Sequence, residues 1–574
     1  MEFPPVVRVQ AVWMQVVWMQ ASLPALPSCA NPLFEGGRSP QVTAPGGWGP
    51  APAAARLEEA AAPSAAARNV KREGKNMDIA IVGAGAAAVG LLDALAATAD
   101  RPGAIMVFEP SPHLWRGRPY GPDLDTVLVN APPAVMSIRH ADFGHYAAWL
   151  GPRGTAHLDE RLDRPLVPRA LYGAYLTHTA ETALATLQED GWRVRIVTAR
   201  VTGAARSGTG WSLRTEDGRG HEADHLALCV GGGTPPDPYG LGGAPGFVGD
   251  PYPLARTLDG VPPGSGIAVI GSGLTAVDVV VSLAARGHTG PITLLSRSGV
   301  LPHVWQRPVE HRPRHVTAER VAALHRQQGA VTLDDLIGLL RAELAEAGED
   351  FEAFAAELLA AESEEPVRRL RAQLAAVDDS GIGRRVLQET AHSVGPYAWR
   401  LLPETDRVRL RRHFRLATSV ASPMVPVNAA TMLRLLDSGQ LTAAAGVRGI
   451  EAVDGVFRVH DDGGGRTFDV AVNAVNPPPR AIPRAAGPLV TALMADGAAE
   501  LHPAGGLVPA DPRLHVVGDL AGGGPFITSS IAGVAAQANL VAQRLRTKAP
   551  NASGAMVKAG PSGRFESRTA TRQG

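Results

Sequence analysis

From residue 77 onward, apolar positions follow two alternating rhythms. "DIAIVGAG" (78–85) is a short continuous apolar run that ends in glycines, and "AIMVFEP" (104–110) is a second such run. Between them "AAAVGLLDALAATA" (86–99) is long enough for several helical turns. This order predicts a βαβ unit with a parallel sheet, whose strands are buried on both faces. The same order returns at 266–297, where "GSGLTA" (271–276) follows one apolar run and "ITLLSRSG" (292–299) contains the next. Between the two units, 164–190 predicts a helix in its later part, 192–218 predicts antiparallel strands with Gly-rich turns, and "HLALCVGGGTPP" (225–236) predicts a buried strand. Residues 317–415 predict a charged, mostly helical stretch, and strands return at 447–476. "LHVVGDLAGGGPFITSSIAGVAAQANLVAQRL" (514–545) predicts strand, loop and a helix that starts near Thr528.

The flanks lack such a period. Residues 1–76 hold a short "VWMQ" duplication and then Pro/Gly/Ala-rich sequence, and Met77 stands directly before the first strand. The expectation is that translation starts at Met77, with a disordered extension as the alternative. Residues 547–574 are polar and aperiodic and predict a disordered tail. The stretch 9–27 is broken by Gln10, Gln15 and Gln20 and predicts neither a membrane span nor a secretory signal.

Each glycine cluster has a chemistry. "GAGAAA" (83–88) fits G-x-G-x-x-G/A. Gly83 permits the tight turn, Gly85 lets the backbone approach a pyrophosphate, and Ala88 keeps the helix close to the sheet. The helix N-terminus then offers N–H groups to the anion. Glu109 closes the next strand and can accept hydrogen bonds from an adenosine ribose. The second cluster repeats the device with Gly271, Gly273 and Ala276, but Ser296 and Arg297 stand where an acid would be. Arginine there pairs with a 2′-phosphate, which favours NADPH over NADH; a solvated loop base reads the same way. Two cradles imply two dinucleotides, such as a bound flavin and a transient nicotinamide. Gly518 and Asp519 follow a late apolar strand, where the carboxylate suits a ribityl hydroxyl; a surface aspartate in a Gly-rich loop is the alternative.

Composition narrows the class. The chain of 574 residues carries 55 Lys+Arg against 55 Asp+Glu, which gives no support for nucleic-acid or membrane partners. Its two cysteines, Cys29 and Cys229, cannot form a C-x-x-C pair, which disfavours a disulfide reductase and suits the cytoplasm. No metal site is expected, and no catalytic acid or base is assigned. His303, Trp305 and the arginines 407, 409, 411, 412 and 415 are candidates for substrate positioning, although the arginines spread around a helix as solvated charges do.

In order along the chain, "GAGAAA…E", "CVGGGTPP", "GSGLTA…SR", "NAVNPPP" and "VVGDLAGGGPF" resemble two-dinucleotide-binding-domain flavoproteins. "LWRGRPYG" (114–121), "VLVNAPPAVMS" (127–137), "PRALYGAYL" (168–176), "SRSGVLPH" (296–303) and "LLPETDRVRLRRHFR" (401–415) are similar to the bacterial FAD-NAD(P)-binding family, related to flavin monooxygenases and amino-acid N-hydroxylases. The resemblance spans 77–545 and implies an α/β fold with two Rossmann-like domains and a helical insert. The divisions it implies are 77–250 and 481–546 for FAD, 251–316 and 416–480 for NAD(P)H, and 317–415 for the insert. It implies that Gly83, Gly85, Ala88, Glu109, Gly518 and Asp519 contact FAD, with Asn130 near the flavin. The chain departs from the family after "RRHFR", where "LATSVASPMVP" replaces a more basic, aromatic segment. The expected activity is an NAD(P)H-oxidising monooxygenase that uses O2 on a small molecule, such as an amine or amino acid. A reductase with an organic acceptor and a non-catalytic flavin-binding sensor are the alternatives. Oligomeric state is not legible.

Overall fold

The computed structural model describes residues 77–98, 102–297, 299–309, 311–360, 363–411, 414–461, 464–503, 505–522 and 530–546. The expectations for 1–76, 547–574 and Thr528 lie outside them.

Ten parallel strands, numbered here in chain order, and five helices frame the molecule. The chain enters through β1 (Met77–Val82), turns into α1 (Ala86–Thr98) and returns as β2 (Gly103–Phe108). After α2 (Arg169–Glu189) come β3 (Arg193–Val197) and β4 (His225–Leu228). Next are β5 (Phe247–Val248), β6 (Ile267–Ile270), α3 (Leu274–Ala285) and β7 (Ile292–Leu295). A helical stretch intervenes before α4 (Pro426–Asp437), β8 (Leu441–Ala444) and β9 (Val470–Asn473). The frame closes with β10 (Leu514–Val516) and α5 (Ile531–Arg546).

These strands form two five-stranded parallel sheets, ordered β10-β4-β1-β2-β3 and β5-β9-β6-β7-β8. Central strands such as "IAVI" of β6 are buried at every position, as a sheet covered on both faces requires. On the first sheet, α1, α2 and α5 cover one face, while a three-stranded antiparallel sheet (201–223) and helix Gly487–Ala495 cover the other. The second sheet repeats the plan. Helices α3 and α4 cover one face, and a three-stranded antiparallel sheet (449–468) covers the other with Phe457, Val459 and Phe468.

The helical stretch runs from Ala318 to Ala421 and buries its own core of Val321, Leu336, Leu340, Val386 and Leu387. Among the described residues no helix is long and apolar enough to cross a membrane.

Three expectations change. Residues 193–197 lie parallel to β2 as the edge of the first sheet, and only 201–223 form the antiparallel strands. An edge strand and a hairpin strand share the same alternation, so the pattern cannot tell a local partner from a distant one. The second sheet also takes Phe247–Val248 as an unexpected edge strand, because a two-residue strand among glycines has no period to read. Strand β8 falls in a stretch for which no strand was expected.

Small residues let the helices over the first sheet approach closely. A Cβ on Gly90 of α1 would meet the Ala538 Cβ at 3.3 Å and Ile138 Cδ1 at 3.4 Å. Gly90→Leu is expected to destabilise by about 2 kcal/mol net, since overpacking outweighs the gain in helix propensity. Urea unfolding of the two proteins checks this, and an unchanged midpoint would contradict it.

Candidate functional site

Both cradles sit where a parallel strand hands over to a helix, at the carboxyl end of their sheets. In the first, Gly83 has φ +96°, and a Cβ there would lie 2.4 Å from the Cys229 carbonyl oxygen. Only glycine meets both demands. Gly85 faces Gly117, with 3.5 Å between a Cβ on Gly85 and the Gly117 Cα, and Ala88 is fully buried. Glu109 holds the turn. One carboxylate oxygen accepts from the Ala84 N–H at 2.9 Å, and the other accepts from the Ser111 N–H at 2.9 Å. The carboxylate keeps further lone pairs for a ribose.

The C-terminal loop closes on this cradle. The Gly518 N–H donates to Gln537 Oε1 of α5 at 2.7 Å, and a Cβ on Gly518 would touch Ala87 of α1 at 3.5 Å. Asp519 faces the "GGG" turn, with its Oδ2 3.0 Å from where a Gly232 Cβ would stand. Burial pushes its carboxyl up to about 6, against the charge and backbone N–H of Arg480. Arg480 is the site residue that the sequence reading missed. It is 7% exposed, with φ +62°, at the end of "NPPPR". A bulky residue directly after three prolines is the signal that could have flagged it.

In the second cradle Gly271 has φ +125°, and a Cβ there would lie 2.9 Å from the Ala474 carbonyl oxygen. Gly273 begins α3 without a side-chain cap, and Ala276 is fully buried. Among the described residues a Cβ on Gly273 would meet nothing within 4 Å, so their packing gives no reason for glycine there. Ser296 Oγ accepts from the Gly299 N–H at 2.7 Å, and Arg297 is exposed beside it.

Asn130 stands between the two units. Its carbonyl oxygen accepts from Trp305 Nε1 at 2.9 Å, and its side-chain Oδ1 is buried without a hydrogen bond to any described residue. A buried orphan acceptor is costly unless something else satisfies it. That atom, the open side of Gly273 and the uncapped N–H groups of α3 fit two dinucleotides.

The other candidates do not join this site. His303 is 3% exposed, contacts Ser419 Oγ at 3.3 Å, and is held down to about 3 by burial, helped by Arg369 and Arg384. It is therefore neutral. Arg407 and Arg411 pair with Glu404, and Arg409 pairs with Asp406, all within one helix. Arg412 and the side chain of Arg415 lie outside the described residues. Cys229 is a buried free thiol that burial pushes up to about 12, which makes it inert; Cys29 also lies outside them. Among the described residues no cluster of His, Cys, Asp or Glu could hold a metal ion.

Fold and site together define a protein with two dinucleotide cradles on one chain. Residues 80–233 match the model of the FAD-NAD(P)-binding family. No curated protein matches the sequence. Among solved structures, the chain is similar to the L-lysine 6-monooxygenase of Pseudomonas syringae at 17% identity and TM-score 0.47, over 82% of this chain and 99% of that one. It is also similar to the ornithine N-hydroxylase of Kutzneria sp. 744, at 13% identity and TM-score 0.45, over 82% and 100% of the two chains. A thioredoxin reductase of Lactococcus lactis matches at 12% identity and TM-score 0.40, over 82% and 99%. Likenesses of this size say nothing of substrate.

The raised Asp519 carboxyl makes a pH prediction. The folded protein holds this proton more tightly than the unfolded chain does. Asp519 therefore costs stability as pH rises from about 4 to about 6, and nothing further changes above that. Asp519→Asn is expected to remove this fall, a difference of about 1–2 kcal/mol for a half-buried group. Urea unfolding of the flavin-free chain from pH 4 to pH 7 reads it, and parallel curves for the two proteins would contradict it.

Proposed function

We propose that this chain is an FAD-dependent oxidoreductase that oxidises NADPH, with NADH as the weaker donor. In this reading it is a monooxygenase that uses O2 on a small amine or amino acid. The observation that carries the first part is the pair of cradles, one of which keeps an open glycine at Gly273. The family match over 80–233 supports FAD and a nicotinamide nucleotide as the two ligands. When bound, FAD supplies two-electron chemistry between nicotinamide and acceptor.

The chain's own residues bind and orient. Gly83, Gly85 and Ala88 form the FAD cradle, Glu109 takes the ribose, and Asp519 with Gly518 takes the ribityl chain. Asn130 offers its orphan Oδ1 to the flavin. Gly271, Gly273 and Ala276 form the NADPH cradle, and Ser296 and Arg297 receive the 2′-phosphate. The FAD unit takes the first sheet with 481–546, and the NADPH unit takes the second sheet, with 317–415 as its helical insert. The inert Cys229 thiol supports an acceptor other than a protein disulfide and suits the reducing cytoplasm, where we assign the protein. The amine or amino acid is the substrate class implied by the resemblance of the chain's sequence motifs to a family related to amino-acid N-hydroxylases.

Gly273→Ala tests the second cradle. Its backbone, at φ −84° and ψ −170°, accepts alanine, so the melting temperature is expected to hold. The added methyl group is expected to weaken NADPH binding about tenfold, or about 1.4 kcal/mol. An NADPH titration that reads anaerobic bleaching of the flavin checks this, and unchanged affinity would contradict the assignment. Under air, a panel of amines and amino acids should include one that couples NADPH oxidation to a product one oxygen heavier. Stoichiometric hydrogen peroxide with every amine would instead favour an organic acceptor.

A further inference from the structure

The two cradles are joined by a buried polar seam. Arg169 opens α2 in the first unit, and Asp278 lies on α3, the helix of the second cradle. The Arg169 Nη2 donates to Asp278 Oδ2 at 2.5 Å, with the two side chains 13% and 0% exposed. Tyr252 completes the group. Its hydroxyl accepts from Arg169 Nη1 at 3.1 Å and donates to the same Asp278 oxygen. One turn along α3, the fully buried Ser282 Oγ meets Thr126 Oγ1 at 2.9 Å, so one face of α3 carries both contacts. Arg169 also donates from Nε to the Leu128 carbonyl oxygen at 3.0 Å, and its backbone N–H bonds the Val127 carbonyl oxygen at 2.8 Å. The segment so gripped leads to Asn130, which bonds Trp305. Val127 itself belongs to the apolar core of the second unit, with Val277, Val280 and Trp305.

A buried ion pair adds little stability over apolar residues of similar volume, but its hydrogen bonds are directional and favour one geometry. We propose that Arg169 and Asp278 are positioning residues that fix α3 against the segment carrying Asn130. The two cradles then work in this one arrangement, and neither unit rotates against the other during turnover. The inference rests on the FAD and NADPH assignment above. The seam itself is independent of that assignment.

The test uses the full chain purified with its flavin. Thr126→Cys with Ser282→Cys places a disulfide across the seam. It is expected to close almost completely in the resting protein, with or without NADP+, as read by mass spectrometry. Closure of less than half, in a protein that melts normally, would overturn the fixed arrangement. The closed form is expected to be bleached by saturating NADPH within twofold of the rate after the disulfide is opened. A tenfold loss on closure that opening restores would overturn the proposal, because the units would then have to swing apart. Wild-type protein that no nicotinamide bleaches would defeat the function reading alone, and closure would still decide the seam. Asp278→Asn, which leaves the Arg169 charge uncompensated, is expected to melt lower and to slow bleaching at saturating NADPH about tenfold while KM changes less than threefold. The pair Arg169→Met, Asp278→Leu should melt like wild type yet stay slow. A wild-type rate in that folded pair would overturn the positioning role.

Discussion

A buried ion pair joins the two sheets of this molecule: Arg169 opens α2 of the first unit, and Asp278 lies on α3 of the second. Asp278 has no exposed surface, and burial pushes its carboxyl above the ordinary range, while the Arg169 guanidinium and the Tyr252 hydroxyl oppose that push. Arg169 in turn is held charged, because Asp278 and Tyr252 outweigh its own burial. Neither residue would be tolerated alone, since an uncompensated buried charge costs several kcal/mol. Val127, Leu162 and Leu166 of the first unit also join the apolar core of the second, so area burial holds the units together without fixing a direction between them. Directional bonds supply the register that area burial cannot.

Within each unit, glycine is used for two distinct purposes. Gly83 and Gly271 are required by the fold: their backbones have positive φ, and the next strand's carbonyl crowds the place where a side chain would start. Gly273 is different, with ordinary dihedrals and open space beside it. A glycine that the packing does not demand is better evidence for a ligand than one that it does. Asn130 makes the same argument with a polar atom, since its buried Oδ1 has no partner among the described residues.

Much of this was legible in the sequence. The βαβ rhythm and the G-x-G-x-x-A spacing located both cradles, because strand, turn and helix are neighbours in the chain. The late "VVGD" was legible as well, and the structure brings Gly518 against α1, although more than 400 residues separate them. What was not legible depended on partners distant in sequence. The edge strand 193–197 looked like the hairpin beside it, and Phe247–Val248 was too short to carry a pattern. Arg480 resembled any loop arginine until the fold set it beside Asp519. Asp278 looked like one polar position on an apolar helix, because its partner Arg169 is 109 residues away. The arginines near 411 suggested an anion site, but the structure pairs the described ones with acids of the same helix.

One chain that holds two dinucleotides lets hydride pass directly between them. The most direct measurement is anaerobic stopped-flow bleaching of the bound flavin by NADPH against NADPH deuterated at the transferable C4 position. A slower rate with deuterium, at saturation and on one face of the nicotinamide only, is the predicted result. Equal rates on both faces, or no bleaching at all, would rule out direct hydride transfer in this protein.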